Sequence, residues 1–174
     1  YFEQTEASFK KDDSIQQKQQ HLDHYYIAEK LTDACEMLTR SAIITVRYDT
    51  GLLELVLQEV KRDEARYEHI PAIIVYYRIY QMLTNREERY FEAARATVIT
   101  NKQFFDGQEL YKLFSYLISF CVARINTNQP GFLRKLFDLY RMGLEQELIF
   151  ENGQLSEWHY KNIVTVAIRV EEMD

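Results

Sequence analysis

Glycine and proline are scarce, with five and two in 174 residues. A many-stranded β fold needs a turn residue at every reversal, so this scarcity argues against one and leaves helices joined by short connections. Cysteine is nearly absent too: Cys35 and Cys121 lie far apart, each within an apolar helical stripe. That pattern fits buried thiols in a reducing compartment and not a disulfide framework or a cysteine metal site. No apolar run approaches the ~20 residues that a membrane span requires, and no signal peptide is visible. The chain therefore reads as cytoplasmic, with no membrane partner. Lys and Arg total 21 against 27 Asp and Glu, a net charge of −6, which argues against a general nucleic-acid-binding surface. There is no G-x-S-x-G, no phosphate-cradling glycine loop, no H-E-x-x-H and no C-x-x-C.

What the sequence has is helical periodicity in a chain that is 47% hydrophobic, of single-domain length and able to bury a substantial core. Its organising stretch runs from Gln108 to Leu148. Leu110, Leu113, Phe114, Leu117, Ile118, Cys121, Val122 and Ile125 recur at 3-4 spacing, which places them on one helical face. After Asn126-Thr127-Asn128-Gln129-Pro130, a second helix carries Leu133, Leu136, Phe137, Tyr140, Leu144 and Leu148 at similar spacing. Pro130 suits a first helical turn, where it loses no hydrogen bond. The two stripes form an αα-hairpin, and Tyr111, Tyr116, Phe120, Phe132 and Leu139 lie off them, so neighbouring helices are expected on either side.

Elsewhere, residues 1–20 form a polar N-terminal segment, partly helical, with a break at Lys10 to Ser14. A helix from about His21 to Arg40 turns Ile27, Ala28, Leu31, Ala34, Cys35 and Leu38 inward. Ser41 to Gly51 is an irregular connection despite the β-prone Ile43, Ile44 and Val46. Leu52 to Ala65 returns to helix, with Leu53, Val56, Leu57 and Val60 inward. Pro71 opens a segment to Leu83 that is apolar nearly all round, a central buried helix, with a strand as the alternative. Asn85 with Glu88, and Asp106 with Glu109, have the spacing of helix-start capping boxes. Asn152-Gly153 marks a turn, and Ser156 caps a last helix, Glu157 to Glu172, whose inward stripe is Tyr160, Ile163, Val164, Ala167 and Ile168.

Seven helices result. The expected fold is all-α, a stack of antiparallel αα-hairpins in a TPR-like right-handed superhelix spanning 21–174, although the repeat period is loose. The last helix has no partner in the chain, so its outer face is expected to meet more of a longer parent protein or a second copy. A start without methionine and an end just past a helical pattern give the same expectation of a longer parent.

Three stretches, Leu22 to Leu31 with Ala34-Cys35-Glu36, Phe132 to Gly143 (FLRKLFDLYRMG) and Trp158 to Val166 (WHYKNIVTV), resemble uncharacterised bacterial proteins of tetratricopeptide-like type, notably from Bacteroidetes. The resemblance implies a helical superhelix and a longer parent. It implies no activity and no catalytic residues.

His21 and His24 share one helix side beside Asp23, but no third ligand follows, and exposed helix-start histidines are the better reading. His159 beside Trp158 is uninformative. Cys121 as a nucleophile needs a base and an electropositive, exposed setting, which its stripe position denies it. No metal, cofactor or catalytic residue is assigned. Function falls on surfaces, because the grooves of helical repeats bind peptides. The candidate binding residues are Trp158, Asn162, Thr165 and Arg169 on the last helix, Tyr111, Ser115 and Ser119 on the organising helix, and Tyr77, Arg78 and Gln81 in the apolar segment. They support a non-catalytic protein-binding scaffold, whose partner is another protein, more of its own chain, or a second copy through the C-terminal helix. The alternative is a regulatory domain in which tyrosines and Arg78 line a pocket for an anionic small molecule.

Overall fold

The computed structural model describes residues 13–150 and 153–171. Among them are eight α-helices, one short 3₁₀ turn and no β-strand, so the chain is all-α. The helices are α1 (Asp13–Ser41), α2 (Leu53–Arg62), α3 (Glu64–Tyr67), α4 (Pro71–Asn85), α5 (Glu88–Asn101), α6 (Gly107–Asn126), α7 (Phe132–Glu145) and α8 (Glu157–Glu171). None is long and apolar enough to cross a membrane. Of the expected polar segment, residues 1–12 lie outside the described residues, while residues 13–20 extend α1 outward as continuous helix.

The chain divides into two compact units, and the boundary falls inside α4, between Tyr77 and Arg78. In the first unit α1 packs on α2, which adjoins α3. Ile27, Leu31, Ala34 and Cys35 of α1 and Leu53, Val56 and Val60 of α2 are buried, each at the helical spacing expected of an inward face. The Cys35 thiol donates to the Tyr76 carbonyl (3.5 Å) and the Tyr67 hydroxyl to Glu59 (3.2 Å). One expected helix is two: at Asp63 the backbone leaves the helical region (φ −137°, ψ 61°), and α3 restarts after it. The Ser41 to Gly51 connection is irregular, as its loose alternation implies, and Ile43, Ile44 and Val46 in it are exposed. Pro71 is the first residue of α4, whose Ile73 to Tyr77 are all buried, which decides for helix over strand.

In the second unit, α6 packs against α5 on one side and α7 on the other, and α8 covers α7. Asp106 caps α6 by accepting from the Glu109 amide (2.8 Å). The other expected capping box does not form: Asn85 is the last residue of α4, its side chain donates to the Gln81 carbonyl (2.8 Å), and Glu87 precedes α5 without a side-chain cap. The turn after α6 uses Asn128 at φ +62°, a left-handed conformation that asparagine tolerates well, and the first amides of α7 close on the Gln129 and Pro130 carbonyls. Phe91, Phe120 and Phe132, one from each of α5, α6 and α7, meet at centroid distances of 5.6–5.8 Å. This cluster covers Phe120 and Phe132, two of the aromatics that lie off the hairpin stripes. Lys135 closes the rim with ion pairs to Glu88 (3.1 Å) and Glu92.

α7 ends at Glu145 and not at Leu148, because Glu147 turns left-handed (φ +57°) and Leu148 donates back to the Gly143 carbonyl (2.9 Å). The returning loop lays Ile149 on Gly143. A Cβ at Gly143 would stand 2.8 Å from Ile149 Cγ2, and Ile149 is itself buried. Gly143→Ala is therefore expected to destabilise the chain by about 1 kcal/mol net, because overpacking costs ~1–3 kcal/mol and the helix gains ~1 kcal/mol from alanine. Urea denaturation checks this, with an Ile149→Ala background expected to remove most of the cost. Equal losses in both backgrounds would exclude the clash as the cause.

Candidate functional site

α8 is seated differently from its periodicity. The inward stripe expected of it is overturned at three positions, since Tyr160 (64% exposed), Val164 and Ile168 face outward. His159, Val166 and Val170 are buried instead, with Ile163 half-buried between them, a 4-3-4 face rotated by about one residue. Tyrosine, valine and isoleucine on one line look more apolar than a line beginning with histidine, yet the aromatic surroundings of His159 make that position the deeper one.

His159 sits in the first turn of α8, where its amide is capped by the Ser156 hydroxyl (3.2 Å), the start signal read from the sequence. Its ring meets the edges of Tyr111 from α6 and Tyr140 from α7, at 5.9 and 6.1 Å, and of Trp158 beside it at 4.9 Å. The Tyr111 hydroxyl and His159 Nε2 share a hydrogen bond of 3.3 Å, while the buried Nδ1 meets no partner. Burial alone lowers the imidazole pKa. Next to it, the Tyr140 hydroxyl is buried without a hydrogen bond of regular geometry. Burial is the main cause that pushes its pKa up to about 12; the Asn162 amide acts on it in the opposite sense.

Beyond this joint, α6, α7 and α8 enclose a cleft of about 120 Å³. Val122, Ile125, Leu133, Leu136 and Val166 give it apolar walls, and Asn126, Tyr140, Asn162, Thr165 and Arg169 its polar edge. Arg169 is the single charged residue in the lining and forms no ion pair among the described residues. The chain matches no protein-family model, no curated protein and no solved structure.

The structure thus brings together Asn162, Thr165 and Arg169 of the residues singled out from sequence. Trp158 stands beside the joint, 58% exposed, with its ring on His159. Tyr111 also belongs to the joint and not to the cleft, Ser115 spends its hydroxyl on the Tyr111 carbonyl (2.8 Å), and Ser119 is exposed. Tyr77 is buried, and Arg78 donates to Gln81 (2.9 Å). Sequence reasoning passed over Asn126, Tyr140 and His159. Asn126 reads as a hairpin turn residue and Tyr140 as core, and only the spacing of 159, 163, 166 and 170 could have marked the histidine. Neither thiol is poised for chemistry: Cys121 is fully buried, and burial pushes its pKa up to about 12. Among the described residues no three His, Cys, Asp or Glu side chains could hold a metal ion.

Proposed function

We propose that this chain is a non-catalytic, cytoplasmic binding module of TPR-like stacked hairpins that holds one side chain of a partner polypeptide in the α6–α7–α8 cleft. The observation that carries this reading is the convergence of Asn162, Thr165 and Arg169 on an apolar floor between three helices. Apolar walls with a few placed polar groups are what recognition sites use. The size of this cleft supports the peptide-binding reading. Sites that enclose small-molecule ligands run to roughly 300–1,000 Å³, whereas about 120 Å³ suits a single aliphatic side chain. Arg78, the anion partner in the regulatory-pocket alternative, lies outside the lining of this cleft and donates to Gln81 on its own helix. Arg169 favours a partner segment with an acidic residue next to its apolar anchor, supplied by another protein, by more of a longer parent chain or by a second copy.

Selection from a random peptide library tests the proposal. The parent chain is expected to enrich sequences that share an apolar anchor. Thr165→Trp, which blocks the mouth from an exposed position, and Arg169→Glu should each weaken them at least tenfold, about 1.4 kcal/mol. Tyr140→Phe is the informative control. Removing a buried hydroxyl that makes no hydrogen bond of regular geometry should change stability little, and binding through the apolar floor should persist. If nothing is enriched over the Thr165→Trp chain, the cleft is not the binding site and the proposal falls.

A further inference from the structure

A buried histidine with one unsatisfied nitrogen stands at the joint that seats α8, and α8 supplies one wall of the cleft. In neutral imidazole one ring nitrogen donates and the other accepts, whereas in imidazolium both donate. The Tyr111 hydroxyl can serve Nε2 in either state, by donating to it or by accepting from it. Nδ1 has no such partner, so a proton added there would create a buried cationic N–H without an acceptor. Tyr111 faces the ring from α6, Tyr140 from α7 and Trp158 from α8 itself, and among the described residues burial alone, with no charged side chain, accounts for its lowered pKa. Among the described residues the ring's contacts are aromatic, and no carboxylate is found bonded to it that could stabilise the imidazolium in place. The way for His159 to accept a proton is to reach water, and its place in the first turn of α8 means that the turn must move with it.

We infer that proton uptake by His159 unseats the N-terminal turns of α8 from the α6–α7 hairpin and opens the cleft, so that the binding site is assembled at neutral pH and dismantled in acid. The sign follows from the ring's lowered affinity for protons. The unfolded or undocked chain binds the proton more readily than the docked one. Docking is therefore fully favoured above the ordinary histidine range and is lost as pH falls through the lower value of the seated ring. A single group acting on one helix end gives a local opening and not global unfolding, since helix termini are the low-stability parts of a fold. The consequence for binding rests on the cleft reading above; the unseating does not.

The test is amide hydrogen exchange on the whole chain at about pH 7.5 and about pH 5, corrected for intrinsic rates, beside NMR titration of the His159 ring. Protection in α8 is expected to fall at least tenfold in acid, with α6 and α7 holding theirs, and the ring is expected to titrate at the same midpoint. His159→Gln, which keeps an amide near the position of Nε2 for Tyr111, should abolish the difference. The inference is overturned if α8 stays protected, if α6 and α7 open with it, or if the ring titrates at another midpoint. A His159→Gln chain that still opens in acid would also overturn it. Should that variant not fold, the ring and α8 midpoints of the parent decide alone. Acid opening of α8 in a chain that selects no peptide would leave the device standing and remove the binding reading.

Discussion

Phe91→Ala should be among the most damaging single substitutions in this chain, with an expected loss of about 3–5 kcal/mol. Phe91 is fully buried and is the one ring that α5 contributes to the three-phenylalanine cluster, stacked on Phe120 (5.6 Å, 9° between planes) and edge-on to Phe132 (5.7 Å). Removing it leaves a cavity bounded by stiff rings from two other helices, which cannot collapse into the space without disturbing the hairpin. It also takes away the ring beneath Lys135, whose ammonium lies 6.0 Å from the Phe91 centroid. Since small domains are stable by only ~5–15 kcal/mol, a loss of this size takes a large share of the total. Urea denaturation of Phe91→Ala, Phe120→Ala and the double variant measures it. The double should lose less than the sum, because each single already breaks the same stack. A loss below about 1 kcal/mol for Phe91→Ala would mean that α5 is held by other contacts.

The second large effect is alkaline. The Cys121 thiol is fully buried and its pKa is pushed up to about 12, first by burial; among the smaller influences Lys135 lowers it and Glu92 raises it. A buried group that resists losing its proton is stable as the neutral form, so the unfolded chain ionises first. Its contribution is fully present below about pH 9 and is lost as pH rises from there towards about 12. Over that whole window the loss is on the order of 4 kcal/mol. The Tyr140 hydroxyl adds to the same decline from about pH 10. Stability measured by denaturant midpoints from neutral pH upward should therefore fall steeply above pH ~9, and a Cys121→Ala chain should fall less steeply. Parallel slopes in the two chains would show that Cys121 stays protonated without cost to the fold.

The hairpin of α6 and α7 was legible in the sequence because its buried positions are almost all aliphatic or aromatic and Leu110, Leu113, Phe114, Leu117, Ile118 and Cys121 keep a 3-4 spacing. Tyr116, Phe120, Phe132 and Leu139 off the stripes are buried as well, however, and Leu144 on one of them is exposed. Asp106 also declares its start through a short-range bond that depends on three residues only. α4 was legible for another reason, since a segment apolar nearly all round has no face to place in water. What failed depended on long-range packing. The Tyr160, Val164 and Ile168 stripe is as periodic as the true one, and only the ring pocket made by Tyr111 and Tyr140, 48 and 19 residues away, selects His159 as the inward residue. Likewise Asn85 reads as a cap until the Gln81 carbonyl, one turn back, takes its amide. The cleft residues of α8 were found because polar positions beside an apolar face fall at groove edges for either rotation of the helix. Tyr140 was missed as one of them because a tyrosine in a core stripe gives no sign of whether its hydroxyl finds a partner.

Trp158 is the only tryptophan in the chain, more than half exposed, with its ring 4.9 Å from that of His159. Every photon excited selectively in indole therefore originates at one end of α8, next to the group that governs its seating. The first unit, with no tryptophan, is silent in that spectrum. The intrinsic emission of the unlabelled protein is thus a site-specific gauge of α8, and a change in its wavelength or lifetime that precedes the loss of helical circular dichroism would separate detachment of this helix from melting of the remainder.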